Sequence, residues 1–339
     1  MLKCIELAKL AEGKTSPNPL VGCVVTDEFD NIIATGYHHK YGENHAERDA
    51  LLKVNKGDGD TLYVNLEPCS HFGKTPPCTD IIIEKGIKNV VIGMLDPNPI
   101  VSGIKKLKEA GINVTVGVME NECKKLNEIF ITNVQEKRTF IAIKTATTLD
   151  GKISTSCGSS KWITSEKARA EVRNIRNKYD AIMTSSTTVI ADNPTMFHRK
   201  KVILDRELKT DLKSKIYEQG EIYVFNEKTD SLAGNVNFIK TPVKDGKISL
   251  EFVFEKLYEL GIMSVLIECG GKLNGKALKY ADKIYHFIAP KITGDNSAKS
   301  CFDYTKINEI SECSNYTIDS VEFFEPDILL TYYPIGKKI

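Results

Sequence analysis

No apolar run in this sequence approaches the ~18 to 20 residues needed to cross a bilayer. The opening Met1-Leu2-Lys3-Cys4-Ile5-Glu6 carries charge where a signal peptide needs an uninterrupted apolar core. The expectation is a soluble, cytoplasmic protein with no membrane partner. Charge of one sign is lacking too: 46 basic against 45 acidic residues leave a formal net charge of +1, so nothing draws the whole chain toward nucleic acid. A small-molecule ligand is expected instead, and a homo-oligomer is left open. Nine cysteines are an odd number, scattered through both halves, which argues against a disulfide framework. Cys4, Cys23, Cys123, Cys157, Cys269, Cys301 and Cys313 read as small buried hydrophobes; Cys69 and Cys78 stand apart.

A chain of 339 residues exceeds the size at which one core usually keeps growing, so two domains are expected. Helical apolar spacing over Leu2 to Glu12 precedes two strands, Leu20 to Thr26 and Ile32 to Tyr37, around the turn-rich segment Asp27 to Asn31. Helices from His45, Cys78, Ser102 and Glu120 then alternate with strands Thr61 to Leu66, Asn89 to Leu95 and Ile112 to Gly117, a pattern that predicts a three-layer α/β/α sandwich. The charged stretch Gln135 to Thr139 sets the boundary between domains 1–138 and 139–339. The second domain resumes α/β alternation, with a helix over Ser165 to Lys178 and strands at Phe140 to Thr145, Asp180 to Thr184, Lys201 to Asp205, Glu221 to Phe225 and Met263 to Glu268. Strands near Lys283 to Ala289 and Ile328 to Tyr333 predict an antiparallel end.

The strongest chemical signal is His45-Ala46-Glu47, followed by Pro68-Cys69 and Pro77-Cys78. One imidazole and two thiolates fill three tetrahedral zinc positions and leave the fourth for water, the pattern of a catalytic site. His45 and Cys78 fall where helices begin, and helix N-termini favour the thiolate. Two residues beyond His45 on a helix, Glu47 points about 200° away from it. It is therefore read as a proton shuttle leaning over the open position. Deaminases of this type commonly have two residues between the cysteines; here eight intervene, Ser70 to Pro77.

That insertion, Ser70-His71-Phe72-Gly73-Lys74-Thr75-Pro76-Pro77, together with Thr15-Ser16-Pro17-Asn18-Pro19-Leu20-Val21-Gly22, closely resembles the deaminase domain of the bifunctional riboflavin-biosynthesis deaminase/reductases. The resemblance implies a cytidine-deaminase-like domain in which His45, Cys69 and Cys78 hold Zn²⁺ and Glu47 moves protons. Asn18, His38, His71 and Lys74 would then bind the pyrimidine and its ribose phosphate.

The second half resembles the reductase domain of the same family, which is similar in fold to dihydrofolate reductase. The motifs are Thr147 to Lys152, Ser160 to Ser165, Thr187 to Pro194 and Glu268-Cys269-Gly270-Gly271-Lys272-Leu273-Asn274-Gly275. The resemblance implies that Ala146, Trp162, Thr188, Asp192 and the segment Gly270, Gly271, Lys272, Leu273, Asn274, Gly275 and Lys276 lie against NADPH. Ser160, Arg176, Met196, Arg199 and Glu268 would contact substrate, with Arg176 and Arg199 suited to a ribose phosphate. Lys144, inside an apolar strand, must be paired or functional. With Glu268 it is read as steadying or protonating the ribose ring oxygen. Arg206, just past a strand end, is a candidate for the NADPH 2′-phosphate.

The function implied is hydrolytic deamination of 2,5-diamino-6-ribosylamino-4(3H)-pyrimidinone 5′-phosphate, followed by NADPH-dependent reduction of its ribosyl chain to ribityl. The alternatives are a nucleoside or RNA deaminase with an appended ligand-binding domain, and a ligand sensor with a structural metal. The first needs a basic stripe or stacking aromatics and has only Phe72 and Tyr37 near the motif; the second would not need Glu47.

Overall fold

The computed structural model describes residues 1–73, 76–303 and 306–336. The chain forms two compact units, Met1–Lys137 and a second that begins at Arg138. No described helix is long and apolar enough to cross a membrane.

The first unit contains helices α1 (Leu2–Lys9), α2 (Ala46–Leu51), α3 (Cys78–Lys85), α4 (Gly103–Glu109), α5 (Glu120–Leu126) and α6 (Glu128–Glu136). Its strands are β1 (Gly22–Thr26), β2 (Ile32–Tyr37), β3 (Thr61–Leu66), β4 (Asn89–Met94) and β5 (Asn113–Val116). They form one sheet in the order β2-β1-β3-β4-β5, antiparallel through β3 and parallel from β3 to β5. β1 is buried along its whole length, as a strand covered on both faces must be. The covering helices come unusually close. A Cβ on Gly22 would stand 2.0 Å from the Cys4 carbonyl oxygen of α1, and one on Gly36 would stand 2.4 Å from the Ala46 carbonyl oxygen and 2.5 Å from the Ala50 amide of α2. Gly22 pairs with Tyr37 and Gly36 with Cys23. Alternation along the strands therefore puts the two glycines, and so α1 and α2, on opposite faces.

The predicted first strand is two residues too long. The Leu20 amide bonds Asn127 Oδ1 at 2.8 Å, and its carbonyl accepts from Asn65 Nδ2 at 2.9 Å and Asn127 Nδ2 at 3.0 Å. Side chains, and not a neighbouring strand, satisfy this backbone, so the ladder starts at Gly22. The predicted first helix is also too long, because the chain turns over residues 10–15, with Gly13 at φ +73°.

The second unit holds ten strands in one sheet: β6 (Phe140–Thr148), β8 (Ala181–Ser185), β9 (Lys200–Leu204), β10 (Glu221–Asn226), β11 (Ser231–Ala233), β12 (Val236–Lys240), β15 (Ser264–Ile267), β16 (Lys283–Ala289), β18 (Tyr316–Phe324) and β19 (Asp327–Pro334). Two small pairs join β7 (Lys152–Ser154) with β17 (Lys299–Ser300) and β13 (Val243–Lys244) with β14 (Lys247–Ile248). The large sheet runs β11-β12-β10-β9-β8-β15-β6-β16-β19-β18. It is parallel from β12 to β16 and antiparallel at both ends. The antiparallel end predicted from β16 and β19 is present. The edge strands β11 and β18 carry no clear period-2 pattern and escape sequence reading.

Helices α7 (Glu166–Asn177), α8 (Ser186–Asp192), α9 (Leu250–Glu259) and α10 (Gly271–Ala277) complete the unit. Neighbouring strand residues alternate between two cores. Met183, Val202 and Phe225 join one with Val253 and Leu257 of α9; Ile182, Ile203 and Val224 join the other. A sheet so covered on both faces is the dihydrofolate-reductase-like arrangement of the second domain.

The cysteine expectation needs a correction. Cys4, Cys23 and Cys123 are buried and Cys269 and Cys301 half-buried, but Cys157 and Cys313 are exposed in loops where no core reaches them.

Gly36→Ala is expected to lower stability by about 1–3 kcal/mol through overpacking against α2. The midpoint of urea unfolding, compared with the wild type, checks this.

Candidate functional site

In the first unit the site lies beyond the C-terminal ends of β3 and β4, where open α/β sheets gather ligands. β3 leads into Glu67-Pro68-Cys69, α2 follows His45, and α3 starts at Cys78. His45 Nδ1 lies 3.5 Å from Cys69 Sγ and 3.4 Å from Cys78 Sγ, and the three donor atoms all fall within 4.8 Å of one another. Zinc bonds of ~2.0 Å to nitrogen and ~2.3 Å to sulfur, at a tetrahedral angle, put such a pair about 3.5 Å apart. The donor set therefore fits zinc in both identity and spacing.

The electrostatics of the pocket agree with thiolate formation. Hydrogen bonding from the Cys78 thiol, and then from His45 and the Cys78 backbone amide (3.3 Å), pulls the Cys69 thiol down to about 4. Cys78, with its neighbour already ionised and its own side chain buried, is held well above the usual thiol range. The hydrogen bond with Cys69 raises His45. Burial pushes the Glu47 carboxyl up to about 7, and it bonds the Cys78 thiol. Glu47 thus faces the donor cluster directly. The helical-wheel angle does not separate it from His45, because His45 is the extended residue that precedes α2, at φ −70° and ψ 161°.

Of the remaining residues expected here, His38 and Asn18 come together. Asn18 Nδ2 is 3.1 Å from His38 Nε2, and His38 Nδ1 is 3.0 Å from the Asn44 carbonyl. The His38 ring meets that of His45 edge-on, with centroids 5.4 Å apart, and burial lowers its pKa. His71 is exposed, and Lys74 lies outside the described residues. Sequence reading missed Asp96. Burial raises its carboxyl to about 6, and it feels Glu67, His71 and Cys69. Its signal was present: Asp96-Pro97-Asn98-Pro99 ends a parallel strand at the edge of the sheet where Cys69 sits.

The second unit has a cavity of about 1080 Å³ at the C-terminal ends of β6, β8, β9 and β15. Lys144, Ala146, Ser160, Thr188, Asp192, Met196, Arg206, Glu268, Gly270, Gly271, Lys272, Leu273 and Lys276 all line it. At its wall Glu268, 7% exposed, accepts from Lys144 Nζ at 3.1 Å, from Arg176 Nε at 2.5 Å and from a terminal Arg176 nitrogen at 3.0 Å. Burial alone would raise this carboxyl, but Lys144 and then Arg176 outweigh it and hold it at about 2.

Five expected residues do not line the cavity. Trp162 is 63% exposed beneath the Arg169 guanidinium, 4.4 Å from its ring centre. Arg199 is exposed. Arg176 reaches the cavity wall through Glu268, which engages two of its nitrogens. Asn274 is buried, bonding the Cys269 and Cys301 carbonyls at 3.2 and 3.1 Å, and Gly275 is buried beside it in α10. Arg206 lines the cavity but is engaged by Glu207 and by Glu227, the latter at 3.4 Å.

An open-sided His-Cys-Cys pocket against a five-stranded sheet, joined to a dihydrofolate-reductase-like unit, defines a zinc-dependent deaminase fused to a reductase domain. The model of the cytidine and deoxycytidylate deaminase zinc-binding region matches residues 1–94, and that of the RibD C-terminal domain matches residues 139–330. The riboflavin biosynthesis protein RibD of Actinobacillus pleuropneumoniae is 40% identical over 357 aligned positions, covering 99% of this chain and 95% of its own. That of Aquifex aeolicus is 43% identical, covering 87% of each. Among solved structures, a diaminohydroxyphosphoribosylaminopyrimidine deaminase/5-amino-6-(5-phosphoribosylamino)uracil reductase from Thermotoga maritima superposes with a TM-score of 0.89. It is 40% identical and covers 98% of this chain and 97% of its own. The chain belongs to the RibD family of riboflavin biosynthesis proteins.

Glu268→Ala is expected to leave Lys144 and Arg176 facing each other without their carboxylate, a loss of about 3–5 kcal/mol for a broken buried pair. Denaturant unfolding followed by circular dichroism measures it. The carboxylate's contribution is present above its unfolded pKa near 4.5 and is lost as pH falls through about 2, so the deficit of the variant should hold at neutral pH.

Proposed function

We propose that this chain carries out two successive steps of riboflavin biosynthesis on one phosphorylated pyrimidine, with residues 1–138 deaminating it and residues 139–339 reducing its ribosyl chain. The observation that carries the reading is the His45, Cys69 and Cys78 cluster with the Glu47 carboxyl turned into it. Zinc held by those three residues would supply a Lewis acid that makes water nucleophilic near neutral pH. Glu47, buried and within hydrogen-bond reach of the cluster, takes the proton of the attacking water and delivers it to the departing amino group. Water enters, ammonia leaves, and the amino-substituted ring carbon becomes a carbonyl. His38 and Asn18, locked to each other beside His45, orient the pyrimidine, and His71 with Lys74 meets the ribose phosphate.

In the second domain NADPH would supply the hydride. Glu268 fixes the Lys144 ammonium at the cavity wall, where it protonates the ribose ring oxygen as the C1–O bond opens and C1 receives hydride. Ala146, Thr188, Asp192 and the Gly270 to Lys276 segment flank the dinucleotide, while Trp162 does not line the cavity. Ser160, Met196, Arg176 and Arg199 belong to the substrate side. Neither reaction calls for nucleic acid or a membrane, which suits a cytoplasmic enzyme.

Two single variants separate the steps. Glu47→Gln should lose deamination by at least ~100-fold while still reducing the deaminated ribosylaminouracil phosphate. Lys144→Met should still deaminate but stop there. Mass spectrometry of products with and without NADPH reads both. Loss of both steps from either variant, or of neither, contradicts the assignment.

A further inference from the structure

The cavity of the second unit has a charge asymmetry to which the reductase reading gives no particular group of the cofactor. Lys247, Lys272 and Lys276 all line it, and Lys276 lies within hydrogen-bond reach of Lys247 with Lys272 close by. Among the described residues none of the three makes an ion pair. Like charges brought together without a counter-charge destabilise a fold, and such a cluster is maintained where an anion completes it. Burial and the two neighbouring lysines lower the Lys276 ammonium to about 8, as crowding of cations requires.

The position of the cluster narrows the anion. Lys144 marks the reacting end on β6. Leu204 and Arg206 mark the other end at β9, three strands away in the order β9-β8-β15-β6, or about 14 Å at ordinary strand spacing. The β13–β14 hairpin that carries Lys247 springs from this far end: it follows β12, and the Thr241 amide just before it donates to the Asn226 carbonyl at the C-terminal end of β10, the strand between β12 and β9. A dinucleotide with its nicotinamide at Lys144 therefore has its adenosine near Lys247. Arg206, the other cation there, already faces two carboxylates.

We propose that Lys247 and Lys276 together seat the 2′-phosphate of the reductase cofactor, and that they, not Arg206, set its preference for the phosphorylated dinucleotide. The proposal rests on the reductase reading above. A phosphate monoester carries close to two negative charges at neutral pH, which matches two ammonium groups.

Calorimetric titration of the full-length protein with NADP⁺ and with NAD⁺ tests it without turnover. Lys247→Ala and Lys276→Ala should each weaken NADP⁺ by about tenfold or more, the range for a lost hydrogen bond to a charged group, and NAD⁺ by less than about twofold. Arg206→Ala should leave the ratio of the two affinities within about twofold. At pH 8, titrations in buffers of different ionisation enthalpy should show proton uptake with NADP⁺ that is absent in Lys276→Ala. If that variant folds poorly, Lys276→Met keeps the aliphatic stem. Equal weakening of both dinucleotides, or loss of the preference in Arg206→Ala, overturns the proposal. So does a wild type that binds both dinucleotides equally, which leaves the reductase reading intact. A wild type that binds neither overturns that reading and this proposal with it.

Discussion

The chemistry of the first unit depends on bringing one imidazole and two thiols from three separate segments within 4.8 Å at one end of the sheet. His45 arrives at the end of the loop after β2, Cys69 at the end of β3 and Cys78 at the start of α3. Their convergence is a packing result. Gly22 and Gly36 let helices press onto opposite faces of β1 and β2, and Asn65 and Asn127 clamp the Leu20 backbone from two sides, holding the segment that carries Asn18. Two thiols and a carboxyl in one buried space is an unfavourable concentration of acids. The opposed shifts of Cys69 and Cys78 and the raised Glu47 express that cost, which a bound divalent cation relieves.

The second unit solves the opposite problem. At its cavity wall a buried carboxylate, Glu268, is neutralised by two cations from different elements: Lys144 from β6 and Arg176 from α7. The same contact that makes Glu268 tolerable inside the fold fixes Lys144 at the cavity wall. Stability and positioning thus reside in one interaction. This also explains why Arg176, which looks in the sequence like one more cation on a charged helix, is largely withdrawn from solvent.

Much of this was legible in the sequence, for physical reasons that differ by element. The three candidate zinc donors were readable because zinc chemistry demands a restricted set of residue types in order, and the helices at His45 and Cys78 follow turn-rich sequence. The central strands were readable because burial on both faces leaves continuous apolar runs. Lys144 stood out as a charge inside such a run. Tertiary events were not legible. Glu47 faces the cluster because His45 stops short of the helix, which a helical wheel cannot show. Arg206 reads as a candidate for the NADPH 2′-phosphate, and only the fold brings Glu227 against it. Lys247 lies in the two-residue strand β14, and only the approach of other elements gives it its neighbours. The edge strands β11 and β18 pair through their backbones with little side-chain pattern to announce them.

Deamination by the first unit requires an open-sided metal centre built from His45, Cys69 and Cys78. X-ray absorption at the zinc edge of the loaded protein tests this most directly. It should give a four-coordinate shell of two sulfur atoms near ~2.3 Å and two nitrogen or oxygen atoms near ~2.0 Å, one of them not from the protein. A shell without sulfur, or with three or four sulfur atoms, would contradict it.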